Sequence, residues 1–210
     1  MSASGPVGFD LDLTLIDSRP AIMAAWSAVS AELGVHIDLS EVDQRMGIKL
    51  EDEVTYWFAA GDHERAADSY RRHYVQLAPQ LTTLLPGATA AFDAVRRSGE
   101  RAVVITAKHP VSVEPSLKAV DLQPDDVFPH VHGPEKAAVL VQIRAAAYVG
   151  DTPADMSAAV DAGVHGIGVP TGSFGATELL AAGARVVLGS LLEFPAWYSR
   201  FLDAADEEGL

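Results

Sequence analysis

The sequence predicts a doubly wound α/β fold, a parallel-sheet core over residues 1–16 and 85–210 that carries a small all-helical insert at 17–84. Three observations predict it. Val7-Gly8-Phe9 is a short apolar run that ends abruptly in acidic residues, as a buried strand does when it delivers side chains from its carboxyl end. Beyond Pro86-Gly87, apolar runs at Ala102–Ile105, Val127–Val131, Ala146–Val149, Gly166–Val169 and Arg185–Leu188 alternate with helical segments, which is the pattern of βαβ units. Between these regions, Leu39–Leu84 keeps helical spacing and contains no convincing strand.

The elements follow in order. Ser18 ahead of Pro20 marks a helix start, Ile22, Trp26, Val29 and Leu33 recur on one helical face, and Gly34 is its stop. Val54, Trp57 and Phe58, then Tyr70, Tyr74 and Leu77, continue the helical pattern. Trp26, Trp57 and Phe58 are read as packing residues rather than a binding box. A helix over Ala88–Ser98 leads into the Ala102–Ile105 strand, and the acidic stretch Asp203–Glu208 reads as a solvated tail.

Composition narrows the function. Hydrophobic residues make up 49% of the chain, enough for a buried core and too many for general disorder. The richest apolar run, Ala137–Gly150, is interrupted by Gln142 and Arg144 and falls short of the roughly 18 residues of a membrane span. No basic flank followed by an apolar block marks a signal peptide at the start, so a cytoplasmic protein is expected. The absence of cysteine excludes disulfides, thiolate metal sites and cysteine nucleophiles. A formal charge of −14 repels nucleic acid and anionic membranes, so neither is an expected partner. Only four lysines are present (Lys49, Lys108, Lys118 and Lys136), so their positions carry weight for any anionic substrate.

Four constellations carry chemistry. In Phe9-Asp10-Leu11-Asp12, two carboxylates two residues apart at a strand end can face one side, a costly arrangement unless a cation or shared proton compensates. One could ligate a hard cation such as Mg²⁺ and the other could hold or accept a proton, although an acidic turn has the same spelling. Gly150-Asp151-Thr152-Pro153-Ala154-Asp155 again runs a strand into acids, which ordinary helix capping also explains. Thr106, at the end of Val103-Val104-Ile105, puts a hydroxyl ahead of exposed N–H groups, a modest anion cradle. Lys136 opens a helical stretch, and Lys108 lies just past a strand end. Ligands of doubly wound sheets bind beyond the carboxyl ends of the strands. The set supplies a nucleophile, a metal site, a proton carrier and donors for phosphoryl oxygens.

These residues resemble the motifs of the haloacid dehalogenase-like hydrolase superfamily, and the resemblance, closest to its phosphoglycolate phosphatase-like members, covers essentially the whole chain. It implies a Rossmann-like core with a helical cap domain after the first strand, and a Mg²⁺-dependent phosphatase acting on a small phosphorylated substrate through an aspartyl-phosphate. It also implies the roles. Asp10 would be the nucleophile and a metal ligand. Asp12 would act as acid and then base, its carbonyl on the metal. Thr106 would bind the phosphoryl group and Lys136 would neutralise charge. Asp151 would ligate Mg²⁺ directly and Asp155 through water. Arg45 and Lys49 resemble the cap's specificity loop. Leu13 stands where glycine commonly follows the second aspartate, and Lys136-Ala137 replaces a frequent Lys-Pro, which makes Lys108 the alternative phosphate-neutralising lysine. A phosphomutase, or a silent phosphate-binding protein on this fold, is the alternative. Asp12 with the Asp151/Asp155 pair argues against a dehalogenase or a phosphonatase.

Overall fold

The computed structural model describes residues 4–208; the ends of the expected core, 1–3 and 209–210, lie outside them. The chain opens with β1 (Val7–Phe9) and a two-residue strand β2 (Ile16–Asp17). Helices α1 (Arg19–Leu33), α2 (Leu39–Gln44), α3 (Leu50–Trp57) and α4 (His63–Leu81) follow, and β3 (Thr83–Leu84) returns the chain. The rest alternates as α5 (Ala88–Arg97), β4 (Ala102–Ile105), α6 (Pro110–Ala119), β5 (Asp126–Phe128), α7 (Pro134–Gln142), β6 (Ala147–Gly150), α8 (Pro153–Ala162), β7 (His165–Gly168), α9 (Ala176–Ala181), β8 (Val186–Val187) and α10 (Phe194–Glu208).

Six strands form one parallel sheet in the order β5-β4-β1-β6-β7-β8. This is a Rossmann-like α/β fold. Strand alternation builds its two cores. Val7, Phe9, Ala102 and Val104 face one side with Phe92, Phe194 and Tyr198, whereas Val103, Ile105 and Tyr148 face the other with Leu140 and Ala159. Helices therefore cover both faces, which is why the strands read as unbroken apolar runs. Gly8 is required on the second face, because a Cβ there would lie 2.9 Å from the Tyr148 ring and 3.1 Å from Leu140. β1 lies between β4 and β6, so the chain's direction of winding reverses about it.

The inserted helices have a core of their own, in which Trp26, Val29, Val42, Val54 and Phe58 are buried together. Trp57 packs against them from a half-buried position. Alanines at 21, 25 and 78 let α1 and α4 approach closely around Tyr74.

Three expectations need correction. The stretch to Leu84 does hold a strand: β3 pairs antiparallel with β2, Ile16 opposite Leu84 and Asp17 opposite Thr83. The insert is thus helical between two short extended ends. The Val127–Val131 run leaves the sheet after Phe128, where Pro129 lacks a donor and His130 takes φ +61°. It bends toward the loop after β4 instead, where the His130 N–H donates to the Lys108 carbonyl and the Val131 N–H to that of Thr106. The acidic stretch 203–208 is no loose tail but the last turns of α10, with Asp203 exposed. Among the described residues, no helix is long and apolar enough to cross a membrane.

Candidate active site

The carboxyl ends of β1, β4 and β6 bring the sequence-predicted residues to one place. Asp10 follows β1 directly and is only 7% exposed; its N–H donates to the Val149 carbonyl, which ties the ends of β1 and β6 together. Asp151 follows β6, and Asp155 lies in the first turn of α8. One carboxylate oxygen from each of Asp10, Asp151 and Asp155 lies within 4.8 Å of the others. The Lys136 ammonium reaches in from the first turn of α7, 2.8 Å from Asp10 Oδ1 and 2.6 Å from Asp155 Oδ1. Lys136, rather than Lys108, is the lysine on Asp10.

Burial and mutual repulsion dominate this cluster. Desolvation raises the Asp10 carboxyl to about 7; Lys136 opposes the rise, and the charges of Asp155 and Asp12 add to it. Asp151, 2% exposed, is pushed well above the carboxylate range by burial, then by Asp155 and Asp10. Burial would raise Asp155 too, but Lys136 and the Thr152 donors outweigh it and hold Asp155 low. Lys136 stays charged because Asp10 and Asp155 overcome the desolvation that would discharge it. If all three carboxylates ionise, two negative charges go unmatched by the one ammonium; burial and this imbalance together are why Asp10 and Asp151 hold their protons so strongly. That arrangement, lined with hard oxygen donors, fits a divalent cation.

Asp155 is fully used by the protein. Its Oδ1 accepts from Lys136 and the Tyr148 hydroxyl, and its Oδ2 from the Thr152 N–H and hydroxyl. Thr152 and Asp155 thereby form the capping box of α8, so the capping reading of these residues and their place in the site are both true. Asp151 Oδ1 accepts from the Thr14 hydroxyl at 2.9 Å. Gly172 borders its other oxygen so closely that a Cβ there would lie 2.0 Å from Oδ2.

Asp12 belongs to a second group. Its Oδ1 accepts the Ser18 hydroxyl and stands 2.9 Å from Lys108 Nζ. Ser18 occupies the N-cap of α1, yet its hydroxyl serves Asp12 rather than the helix. Lys108 also donates to the Tyr74 hydroxyl at 2.9 Å, with its ammonium 4.2 Å from that ring's centre. Burial works against the Lys108 charge, but Asp12 and the two tyrosines Tyr74 and Tyr70 outweigh it and raise its pKa. Thr106, 1% exposed, directly follows β4, and its hydroxyl accepts the Lys108 N–H.

Leu13 shows how strictly the loop after β1 is shaped. It takes φ +60° without being glycine, a conformation that costs roughly 1–2 kcal/mol. Its N–H donates to the Ile16 carbonyl, and its own carbonyl accepts the Thr171 hydroxyl, so the turn is held from both ends.

A cavity of about 810 Å³, its open mouth included, separates the sheet from the insert. Asp10, Asp12, Leu13, Lys108 and Asp151 line its floor, and Ile22, Trp26, Val42, Leu50 and Tyr70 its roof. Arg45 reaches this cavity, but its Nε lies 2.9 Å from Glu53 Oε2. Lys49 does not line it and pairs with Glu135 of α7 at 2.6 Å. The sequence reading missed Thr14, Ser18, Tyr74, Tyr148, Thr152, Glu53 and Gly172 as site residues. Thr14 and Thr152 stood inside the two acidic motifs and could have been found there; the others carry no local signal.

Comparison with known proteins agrees with this geometry. Residues 7–138 match the family described as haloacid dehalogenase-like hydrolase, and residues 131–194 match a related hydrolase family. The chain is 28% identical to a plasmid-borne phosphoglycolate phosphatase of Cupriavidus necator, covering 89% of this chain and 90% of that one. It is 30% identical to a phosphoglycolate phosphatase of Cereibacter sphaeroides, covering 76% and 82%. Among solved structures, a haloacid dehalogenase-like family hydrolase of Streptococcus pneumoniae superposes with a TM-score of 0.80, at 22% identity over 94% of this chain and all (100%) of that one. Fold, site and relatives agree: the chain belongs to the haloacid dehalogenase-like hydrolase family.

Proposed function

We propose that this protein is a magnesium-dependent phosphatase that hydrolyses a small phosphomonoester through an aspartyl-phosphate on Asp10. The observation that carries the reading is the buried cluster of Asp10, Asp151 and Asp155 around the single ammonium of Lys136, at the carboxyl ends of β1 and β6. The asp-lined site suits a cation held by the Asp10 and Asp151 carboxylates and the Asp12 carbonyl. Asp155 acts from behind, since its oxygens are taken by Lys136, Tyr148 and Thr152. A bound magnesium ion would supply positive charge to the phosphoryl oxygens and to the attacking carboxylate.

The chain's own residues carry the steps. Lys136 fixes one oxygen of Asp10 and offsets its charge, so the other oxygen is free to attack phosphorus. As the phosphorus–oxygen ester bond breaks, Asp12 gives its proton to the departing alkoxide. Asp12 then removes a proton from water, which attacks the same phosphorus and frees Asp10 and inorganic phosphate. Thr106 and the N–H groups of its loop bind the phosphoryl oxygens. The insert at 17–84 acts as a cap whose apolar roof, Trp26 and Tyr70 included, keeps bulk water from the acyl-phosphate.

The test is phosphate release from a panel of phosphomonoesters with and without Mg²⁺. Turnover that needs the ion is expected, with a fall of about 10⁴-fold or more in Asp10→Asn, as for loss of a covalent nucleophile. Metal-independent release, or a fully active variant, would overturn the reading.

A further inference from the structure

The roof of the cavity specifies what lies beyond the phosphate. We propose that it selects esters of uncharged, hydroxylated alcohols, as in a sugar phosphate, and disfavours a substrate with a second anionic group. The inference rests on the phosphatase reading above and refines it.

Three observations support the proposal. Arg45, the cation that reaches the roof from the insert, is already neutralised. Its Nε binds Glu53 Oε2 at 2.9 Å, and its guanidinium carbon lies 4.0 Å from the centre of the Tyr56 ring. Glu53 is only 6% exposed, and its other oxygen accepts the Trp57 indole N–H at 2.7 Å, so the pair is a fixed part of the insert. A carboxylate at this end would gain Arg45 hydrogen bonds but would face Glu53 across the same small space.

The other basic groups offer it nothing more. Lys108 is committed to Asp12, and Lys49 is turned away to Glu135. Burial lowers His109, the remaining basic side chain of the lining, and the nearby Arg71 adds to the effect, which favours its uncharged form. What remains is a donor and an acceptor side by side, Arg45 and Glu53, above an apolar wall. The Trp26 and Tyr70 rings stand 4.7 Å apart in that wall, with Ile22 and Leu50 also lining it. A hydroxyl both donates and accepts, so it matches the pair, and the carbon face of a ring alcohol matches the wall.

The test compares three esters with Mg²⁺ present: ribose 5-phosphate, 2-hydroxyethyl phosphate and 2-phosphoglycolate. The last two differ only in an alcohol against a carboxylate. The expected kcat/KM falls in that order, with phosphoglycolate about tenfold or more below hydroxyethyl phosphate. Glu53→Gln removes the opposing charge, and the ratio of phosphoglycolate to hydroxyethyl phosphate should then rise about tenfold. A wild-type preference for phosphoglycolate overturns the proposal and leaves the phosphatase reading intact. So does an unchanged ratio in a variant whose circular dichroism and melting show it folded. If the variant does not fold, the wild-type ranking decides alone. No Mg²⁺-dependent release from any ester overturns both readings together.

Discussion

Two lysines each hold a candidate catalytic aspartate, and the contrast between their settings divides the site. Lys136 lies wholly within the core: it bridges Asp10 and Asp155, and Asp155 is in turn fixed by Tyr148 and Thr152. Lys108 holds Asp12 from the core, but its second partner, Tyr74, belongs to α4 of the insert. Tyr74 also meets the Ser116 hydroxyl of α6 at 2.9 Å, so it joins the insert to the core at the lysine itself. The Asp10 half of the site is therefore fixed by the sheet, whereas the Asp12 half depends on where the insert sits. In the proposed mechanism this division would keep the phosphoryl geometry constant and let the acid respond to the insert's position.

The strongest way to break the comparison is Lys136→Met. It leaves three buried carboxylates without their ammonium, and kcat/KM should drop about 10³-fold, the scale of losing one preorganised charge at a phosphoryl site. Steady-state phosphate release measures it, and a loss below tenfold would mean that the core half is not organised around this lysine.

A smaller effect is expected from protons. Asp10 sits near 7 in the folded chain against 3.8 for an ordinary aspartate, so between these values the folded state holds a proton that the unfolded chain has released. The stability contributed by this group is therefore greatest at low pH and is lost as pH rises through about 7. In the proposed reading a magnesium ion on Asp10 would displace that proton, so its apparent affinity should weaken about tenfold or more from pH 7.5 to 5.5. The Mg²⁺-induced rise in melting temperature, followed over this range, checks the sign; a shift independent of pH would contradict it.

The comparison is sharpened by the mildest change, Tyr74→Phe. It removes the hydroxyl's hydrogen bonds to Lys108 and Ser116 and leaves Asp10 and Lys136 untouched. A fall of about three- to tenfold in kcat is expected, with a displaced acidic limb in the pH profile and KM little altered. A purely structural tyrosine would lower stability and leave the profile in place.

Most of the sheet was legible because its strands are buried on both faces and so spell continuous apolar runs. Where burial was not continuous, the reading failed. Two-residue strands such as β2 and β3 are too short to show any period, and Val131 lengthened a run that Pro129 had already ended. In the site, the residues whose neighbours in sequence are also neighbours in space were found, Asp10 with Asp12 and Asp151 with Asp155. Glu53 escaped because a charged residue on an amphipathic helix reads as solvated, and only the fold reveals that Arg45 and Trp57 close over it. Ser18 read as a helix start and the acids of the second motif as capping residues, yet it is Thr152 and not Ser18 whose hydroxyl caps its helix. Leu13 shows the converse: its side chain gave no reason to expect φ +60°, which the contacts at Ile16 and Thr171 impose.

The paired ends of the insert have a further bearing on how such proteins diversify. Asp17 and Thr83 are direct partners, so the excursion between them begins and finishes about 5 Å apart, the spacing of an antiparallel pair. Closing a chain on so narrow a doorway adds only a slowly growing entropic cost with length. One insert can therefore be exchanged for a longer, shorter or differently shaped one without re-laying a single strand beneath it.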